Sequence, residues 1–409
     1  MTTQQVAARL GVKPETVYAY VSRGLLGSRR GPGGRASTFD PDEVERLAHR
    51  RRGRPDGESG TARDQDAAGP VYSAVTLIEG DRYYYRGVDP IALAARASFE
   101  EVAWWLWTGD QRPGPSFAAP DAGLAAARSV GDALPPQAGL VDRLRVAAVA
   151  AAAVDPVRFD LRPRTVAATA RGLIATFVDS LPRRDDDPSG PTQGATVAAR
   201  LWPRLTGRPA DPHAVATLDT ALVLLIDHGL AASTVTARAA ASARAHPYAV
   251  VSAALGAVEG PLHGAASGLA HRMLTDVLER GAAPVVAEHL RAGRRLPGLG
   301  HRLYRSTDPR ARVLFERLDD VPEAAPVLAA AHAVTETAAT HLPLPANVDL
   351  ALATLSVATG MPPEAGETIF AVARTAGWIA HALEEYDERA LRVRVTGRYE
   401  GPPPPQPLP

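Results

Sequence analysis

The chain has 409 residues, enough for one small domain plus one large body or for two to three average domains. Its 45 Lys+Arg balance 45 Asp+Glu, so net charge offers no general attraction to nucleic acid or membrane. The absence of cysteine excludes disulfides, thiolate catalysis and cysteine-ligated metal.

The start, MTTQQVAARL, lacks the basic-then-apolar pattern of a signal peptide. The longest apolar run, 146–154, is far short of the ~20 residues of a membrane helix. A soluble, cytoplasmic protein with no membrane partner is expected. Charge is uneven along the chain: residues 1–54 hold 11 Lys+Arg against 5 Asp+Glu, a net of +6. Lys13 is the only lysine, and the arginine and alanine bias reads as genome composition rather than function.

Residues 1–50 predict a small module. Thr2 or Thr3 can cap a first helix with Val6 and Leu10 on one face. Gly11 supplies a turn, and Pro14 suits the first position of a second helix, where Val17 and Val21 recur. Gly24 stops that helix and Leu25 and Leu26 return to the core. Residues 27–38 read as a loop or β-wing. A third helix is expected from about Asp40, with Val44 and Leu47 inward.

Residues 51–70 are polar and glycine-rich, a linker. From 71 to 400 a largely helical body follows, with 71–87 the best candidate for a short β element. Segments 99–106, 215–226, 249–258 and 369–383 are apolar without strand-type alternation and predict helices. Proline-rich breaks at 113–120 and 182–191 read as loops, and 401–409 as a disordered tail. There is no repeat of solenoid period.

Five stretches carry chemistry. Residues 369–383, IFAVARTAGWIAHAL, are apolar all round, which implies burial, with Arg374 in the middle. A buried guanidinium needs an anion, either an internal carboxylate or a bound one. In TLDTALVLLIDHGLAAS, residues 217–233, Asp227 and His228 end a helix before Gly229. They form a capping pair, or His228 faces a cleft. GPLHG at 260–264 sets His263 on a turn of small residues that lets a ligand approach. PGLGHRLYRSTDPR at 297–310 surrounds His301 with glycines and arginines. It is a basic surface loop or a site for a phosphate- or carboxylate-bearing ligand. In NVD at 347–349, Asp349 opens a helix, as a cap or as a general base.

In this order, with YYYRGVDPIALAARASFEEVAWWLWTG upstream, these pieces resemble the citrate synthase family over roughly 69–402. The resemblance implies an all-α fold of large and small helical domains, the small one at about 238–340. It also implies condensation of acetyl-CoA with oxaloacetate, no metal or redox cofactor, and a homodimer or higher homo-oligomer. By the same resemblance Asp349 is the carboxylate base, His263 the donor to the thioester oxygen, and His301 the residue that polarises the oxaloacetate carbonyl. His228, Arg310 and Arg374 would bind oxaloacetate, with Arg394 of RVTGRYEG contributed across the dimer. Gly298, Leu299, Gly300, Arg302 and Arg305 would face CoA.

The sequence departs from the family at several points. Leu350-Ala351-Leu352-Ala353 replaces the usual aromatic pair and Ser-Gly after the base. Ala231 and Ser267 stand where asparagines are common. Val395 and Thr396 replace the proline and second arginine of the closing motif. A 2-methylcitrate synthase using propionyl-CoA differs by one methyl and remains an alternative, as does a regulator whose body senses metabolites.

The N-terminal stretch TTQQVAARLGVKPETVYAYVSRGLLGSRR, followed by GGRASTFDPDEVERL, resembles the winged helix-turn-helix of the MerR or excisionase type. That implies DNA contacts by Lys13, Thr16 and Tyr18 on the second helix and Arg29, Arg30 and Arg35 on the wing. An assembly module that never touches DNA is the alternative.

Overall fold

A computed structural model of the chain describes residues 1–10, 12–22, 26–30, 37–41, 43–44, 71–112, 114–184, 194–260, 263–342, 344–393, 400–403 and 405. The chain divides into two compact units, Met1–Asp66 and Ala67–Pro409.

In the first unit, α1 (Thr3–Leu10) and α2 (Pro14–Ser22) precede an antiparallel hairpin of β1 (Ser28–Arg30) and β2 (Ser37–Phe39). Ser28 pairs with Phe39 and Arg30 with Ser37, so the expected wing is a true β-ribbon. Val6, Ala7, Leu10, Val17, Leu26, Phe39 and Val44 form its core. So small a core is of marginal stability. Most of the expected third helix and the linker at 51–70 lie outside the described residues.

The second unit opens with the hairpin β3 (Thr76–Glu79) and β4 (Arg82–Tyr85), inside the stretch expected to hold a β element. Helices follow: α3 (Pro90–Ala94), α4 (Phe99–Thr108), α5 (Asp121–Asp132), α6 (Leu140–Val154), α7 (Pro163–Ser180), α8 (Val197–Leu205), α9 (Pro212–Leu225) and α10 (Ala232–Ser242). Then come α11 (Pro247–Val258), α12 (Ala266–Arg280), α13 (Ala282–Arg291), α14 (Pro309–Leu318), α15 (Ala325–Ala339), α16 (Val348–Ala358) and α17 (Ala365–Asp387).

Polar residues just ahead of the apolar runs set where several helices begin. Ser98 and Glu101 form a reciprocal capping box on α4, Asp211 caps α9, and Asn347 caps α16. Such caps move the starts of α9 and α11 two to three residues ahead of the apolar windows, with Pro212 and Pro247 in the first turn.

α17 is the spine. It packs against α7, α9, α10 and α11, and from Ile369 to Ala382 nearly every residue is buried. It runs four residues beyond each end of the apolar window at 369–383. Past Leu383 its acidic side chains are matched by Arg238 of α10, which pairs with Glu384 and Glu385 at 2.6 Å each. No helix among the described residues is long and apolar enough to cross a membrane.

Candidate active site

Arg374 sits at the middle of the spine, 1% exposed. Its Nε donates to the Leu225 carbonyl at 2.8 Å, and its guanidinium lies 4.4 Å from the Phe370 ring centre. The internal ion pair open at the sequence level is not made. Among the described residues no carboxylate reaches it, and its two terminal nitrogens meet no acceptor. The nearby Asp227 is engaged elsewhere, by Thr76 Oγ1 (2.6 Å), Gly229 N (3.0 Å) and His381 Nε2 (3.2 Å). A buried cation with two unused donor groups is a seat for an external carboxylate.

Asp227 thus accepts a local backbone N–H, that of Gly229, whereas His228 bonds a distant side chain through its ring. Its Nε2 lies 2.6 Å from the Tyr304 hydroxyl, and its ring meets His301 edge-on at 5.4 Å. Burial, then Arg310 and Arg374, hold its pKa well below the ordinary histidine value. It stays uncharged at neutral pH.

The loop before α14 is tied down rather than displayed. Gly298 and Gly300 have φ of 77° and 80°, which side-chain-bearing residues rarely adopt. A Cβ at Gly298 would lie 2.7 Å from Leu350 Cβ. The Gly300 amide donates to the Pro345 carbonyl at 2.7 Å. Asn347 completes the lacing, donating Nδ2 to Gly300 O (2.7 Å) and its backbone N–H to Gly298 O (2.9 Å). The loop carrying His301 and the helix start carrying Asp349 are thus one hydrogen-bonded assembly.

His301 Nδ1 accepts the backbone N–H groups of Leu303 (3.1 Å) and Tyr304 (3.3 Å), so the hydrogen resides on Nε2. Nε2 lies 3.4 Å from an Arg310 Nη. Two donors cannot bond each other, and this pair converges on a point suited to one acceptor oxygen. Burial and Arg310 bring the His301 pKa down to about 4. Arg310 is itself held by Asp308 through two parallel bonds, 3.0 and 2.8 Å. Burial opposes its charge, but the Asp308 carboxylate outweighs that and raises its pKa. A cavity of about 300 Å³, lined by Asp81, Tyr83, Pro309 and Arg312 among others, opens behind this loop and includes none of the predicted site residues.

Asp349 is not the cap of α16. Asn347 fills that role, accepting the Asp349 N–H at 3.0 Å. The Asp349 carboxylate has no hydrogen-bond donor among the described residues, and burial raises its pKa to about 6 despite the attraction of Arg310. A poorly solvated carboxylate near neutrality is suited to accept a proton.

His263 Nε2 lies 2.7 Å from Ser233 Oγ, which in turn receives the Trp378 indole N–H at 3.3 Å. The serine O–H is then directed at Nε2, leaving Nδ1 as the donor. Burial, then Arg374, lowers His263 to about 4. Its ring packs on Phe370 at 5.3 Å.

The expected residues therefore gather through the two arginines. Arg310 is felt electrostatically by Asp349, His301 and His228, and Arg374 by His228 and His263. No hydrogen bond joins His263 to Asp349. Arg302 and Arg305 are exposed, Leu299 is buried, and the Arg305 N–H donates to Asp81 at 3.1 Å. In the first unit Lys13 is exposed and Thr16 half-buried. Arg35 and Arg394 lie outside the described residues, as do the side chains of Tyr18, Arg29 and Arg30. Sequence reasoning passed over Ser233, Tyr304, Asp308 and Phe370. Asp308 had a usable signal, two residues before Arg310 in a Asp-Pro-Arg helix start; the others had none.

The family model described as "Citrate synthase, C-terminal domain" matches residues 68–394, and one described as "Helix-turn-helix domain" matches residues 1–52. A citrate synthase of Haloferax volcanii is 34% identical over 80% of this chain and 93% of its own length. A 2-methylcitrate synthase of Corynebacterium glutamicum is 28% identical over 81% and 92%. The solved ternary complex of carboxymethyl coenzyme A and oxaloacetate with citrate synthase from Thermoplasma acidophilum superposes with a TM-score of 0.68 at 24% identity, covering 86% of this chain and 98% of that one.

Proposed function

This chain belongs to the citrate synthase family, and from that premise we propose that it condenses acetyl-CoA with oxaloacetate and hydrolyses the thioester to citrate and CoA. Asp349 removes a proton from the carbon next to the thioester carbonyl. His263 donates its Nδ1–H to the thioester oxygen, stabilising the enol or enolate. The His301 Nε2–H and Arg310 polarise the oxaloacetate ketone, and the new carbon–carbon bond forms there. His228, Arg310, Arg374 and, from a second copy, Arg394 hold the two carboxylates. Arg302 and Arg305 face the CoA phosphates. Water then releases CoA. No metal or redox group is required by this chemistry.

The observation that carries the reading is the Asp349 carboxylate, without donors among the described residues and raised to about 6 beside a buried arginine–histidine cluster. The test is release of free CoA from acetyl-CoA that appears only when oxaloacetate is added. Background rates with both acetyl-CoA and propionyl-CoA would sink it. Propionyl-CoA belongs in the same assay because the acyl wall here is Leu350, Leu352 and Ala353, and one methyl is worth only ~1–3 kcal/mol of discrimination.

A homodimer is supported by apolar side chains left exposed around α5 and α6, namely Val130, Val149, Val154, Val157 and Phe159. The helix–turn–helix and ribbon of the first unit, with the basic charge of residues 1–54, support a role in contacting DNA through Lys13, Thr16, Tyr18, Arg29, Arg30 and Arg35. An operator-independent shift of duplex DNA that weakens with salt would be its first sign.

A further inference from the structure

We propose that Tyr304 is a positioning residue that fixes the donor geometry of both oxaloacetate-facing histidines and through them sets the affinity for oxaloacetate. The inference rests on the reading of this site as one that takes oxaloacetate.

Tyr304 is 2% exposed and lies between His301 and Asp308. Its single side chain touches three groups of the site at once. The hydroxyl lies 2.6 Å from His228 Nε2. The ring stacks on His301, 4.7 Å between centres and 28° from parallel. The Arg310 guanidinium carbon stands 5.8 Å from the ring centre, within range of a cation–π attraction. Its backbone N–H is also one of the two that bond His301 Nδ1.

The direction of the hydroxyl bond follows from the two partners. Burial raises the Tyr304 pKa, so the phenol keeps its proton. His228 is held unprotonated by burial and by Arg310 and Arg374, so Nε2 can accept. Tyr304 then donates, and the remaining hydrogen of His228 sits on Nδ1. Among the described residues that nitrogen has no partner. Oxaloacetate carries two carboxylates and a ketone, acceptors only, and a ligand of that kind needs an N–H from the imidazole rather than a lone pair. Removing the hydroxyl frees His228 to exchange tautomers, and one of the two tautomers repels the ligand. The ring contributes separately: it backs the plane of His301, whose Nε2–H must keep its aim beside Arg310.

The test is Tyr304→Phe in the full-length protein, with oxaloacetate binding measured by calorimetry and turnover by CoA release. Affinity for oxaloacetate should fall on the order of tenfold, as expected for one hydrogen bond to a substrate-orienting group. The KM for acetyl-CoA should stay within about twofold, and Tm within a few degrees, since the ring and its packing remain. Tyr304→Leu should in addition lower kcat, because His301 loses its stacked face.

In a His228→Ala background, Tyr304→Phe should cost nothing further in oxaloacetate affinity. Unchanged affinity in Tyr304→Phe overturns the proposal. So does a loss that adds fully to that of His228→Ala, or one that follows Tm and both KM values together. Should Tyr304→Phe not fold, the same question passes to His228→Ala and His228→Gln. Wild-type affinity in both would overturn the proposal, and loss in both would sustain it. Failure of the wild type itself to bind oxaloacetate or release CoA would instead bring down the underlying functional reading, and this inference with it.

Discussion

The two halves of the site are built on opposite plans. On the side proposed to take oxaloacetate nearly every side chain is held by the protein: Arg310 by Asp308, His301 by two backbone amides, His228 by Tyr304. On the proposed acyl side the Asp349 carboxylate has no donor among the described residues, and the His263 ring meets one hydrogen-bond partner among them, Ser233, and packs on Phe370. Groups that bind a dianion gain from being fixed in advance, since no reorganisation is then left for the moment of binding. A carboxylate that must take a proton from carbon gains from the reverse, since each hydrogen bond to it would lower its basicity.

The largest break in this contrast comes from Asp349→Asn. CoA release should fall by roughly a thousandfold, the scale of losing a general base. Oxaloacetate affinity by calorimetry should stay near that of wild type. A comparable loss of oxaloacetate affinity would show that the two halves are not separate.

Asp308→Asn attacks the other half. It leaves Arg310 charged and buried without its partner, at a cost of about 3–5 kcal/mol of stability by urea unfolding. Oxaloacetate affinity should fall with it. A stable variant with normal affinity would mean that the paired carboxylate does not hold Arg310.

Acid sharpens the comparison further. In the proposed reaction Asp349 acts in its ionised form, so kcat/KM should drop about tenfold per pH unit below about 6. His263 and His301, lowered to about 4, stay uncharged through that range. The same shift has a stability signature. The folded state holds the Asp349 proton up to about 6, whereas the ordinary aspartate value is 3.8. Its raised pKa therefore costs nothing at low pH, and the penalty grows as pH rises from 4 to 6. Tm of Asp349→Asn relative to wild type should rise across that window and be flat outside it.

The smallest effect belongs to Ser233→Ala. His263 loses the hydroxyl that fixes its tautomer, and kcat should fall by about tenfold with KM for oxaloacetate unchanged. An unaltered kcat would remove Ser233 from the acyl side.

The ordered run of motifs from Asp227 to Arg374 made the family legible, because each motif sits on a helix end or glycine turn with a local sequence signature. The all-α architecture was legible for the same reason: windows such as 369–383 are apolar all round and fit no strand. What stayed hidden were the partners. Tyr304 reads as one more residue in a basic loop, and Ser233 as a helix-start serine. Phe370 reads as core. Each also meets a residue from 30 to more than 100 positions away, His228 for Tyr304, His263 and Trp378 for Ser233 and His263 for Phe370, which spacing along the chain does not encode.

By itself the sequence determined the helices, the basic helix-turn-helix head, the glycines at 298 and 300, and the identity of the acidic, basic and imidazole groups. These follow from local sterics, capping and periodicity, which act within a few residues. Only the tertiary structure decided which reading of each group holds: among the described residues Arg374 meets no carboxylate and Asp349 receives no hydrogen bond, Asp227 is taken up by Gly229, Thr76 and His381 while His228 meets Tyr304, and Gly300 spends its amide on Pro345. Each of those outcomes is a competition between protein and solvent or ligand for one polar group, and it is settled by what packing brings within reach.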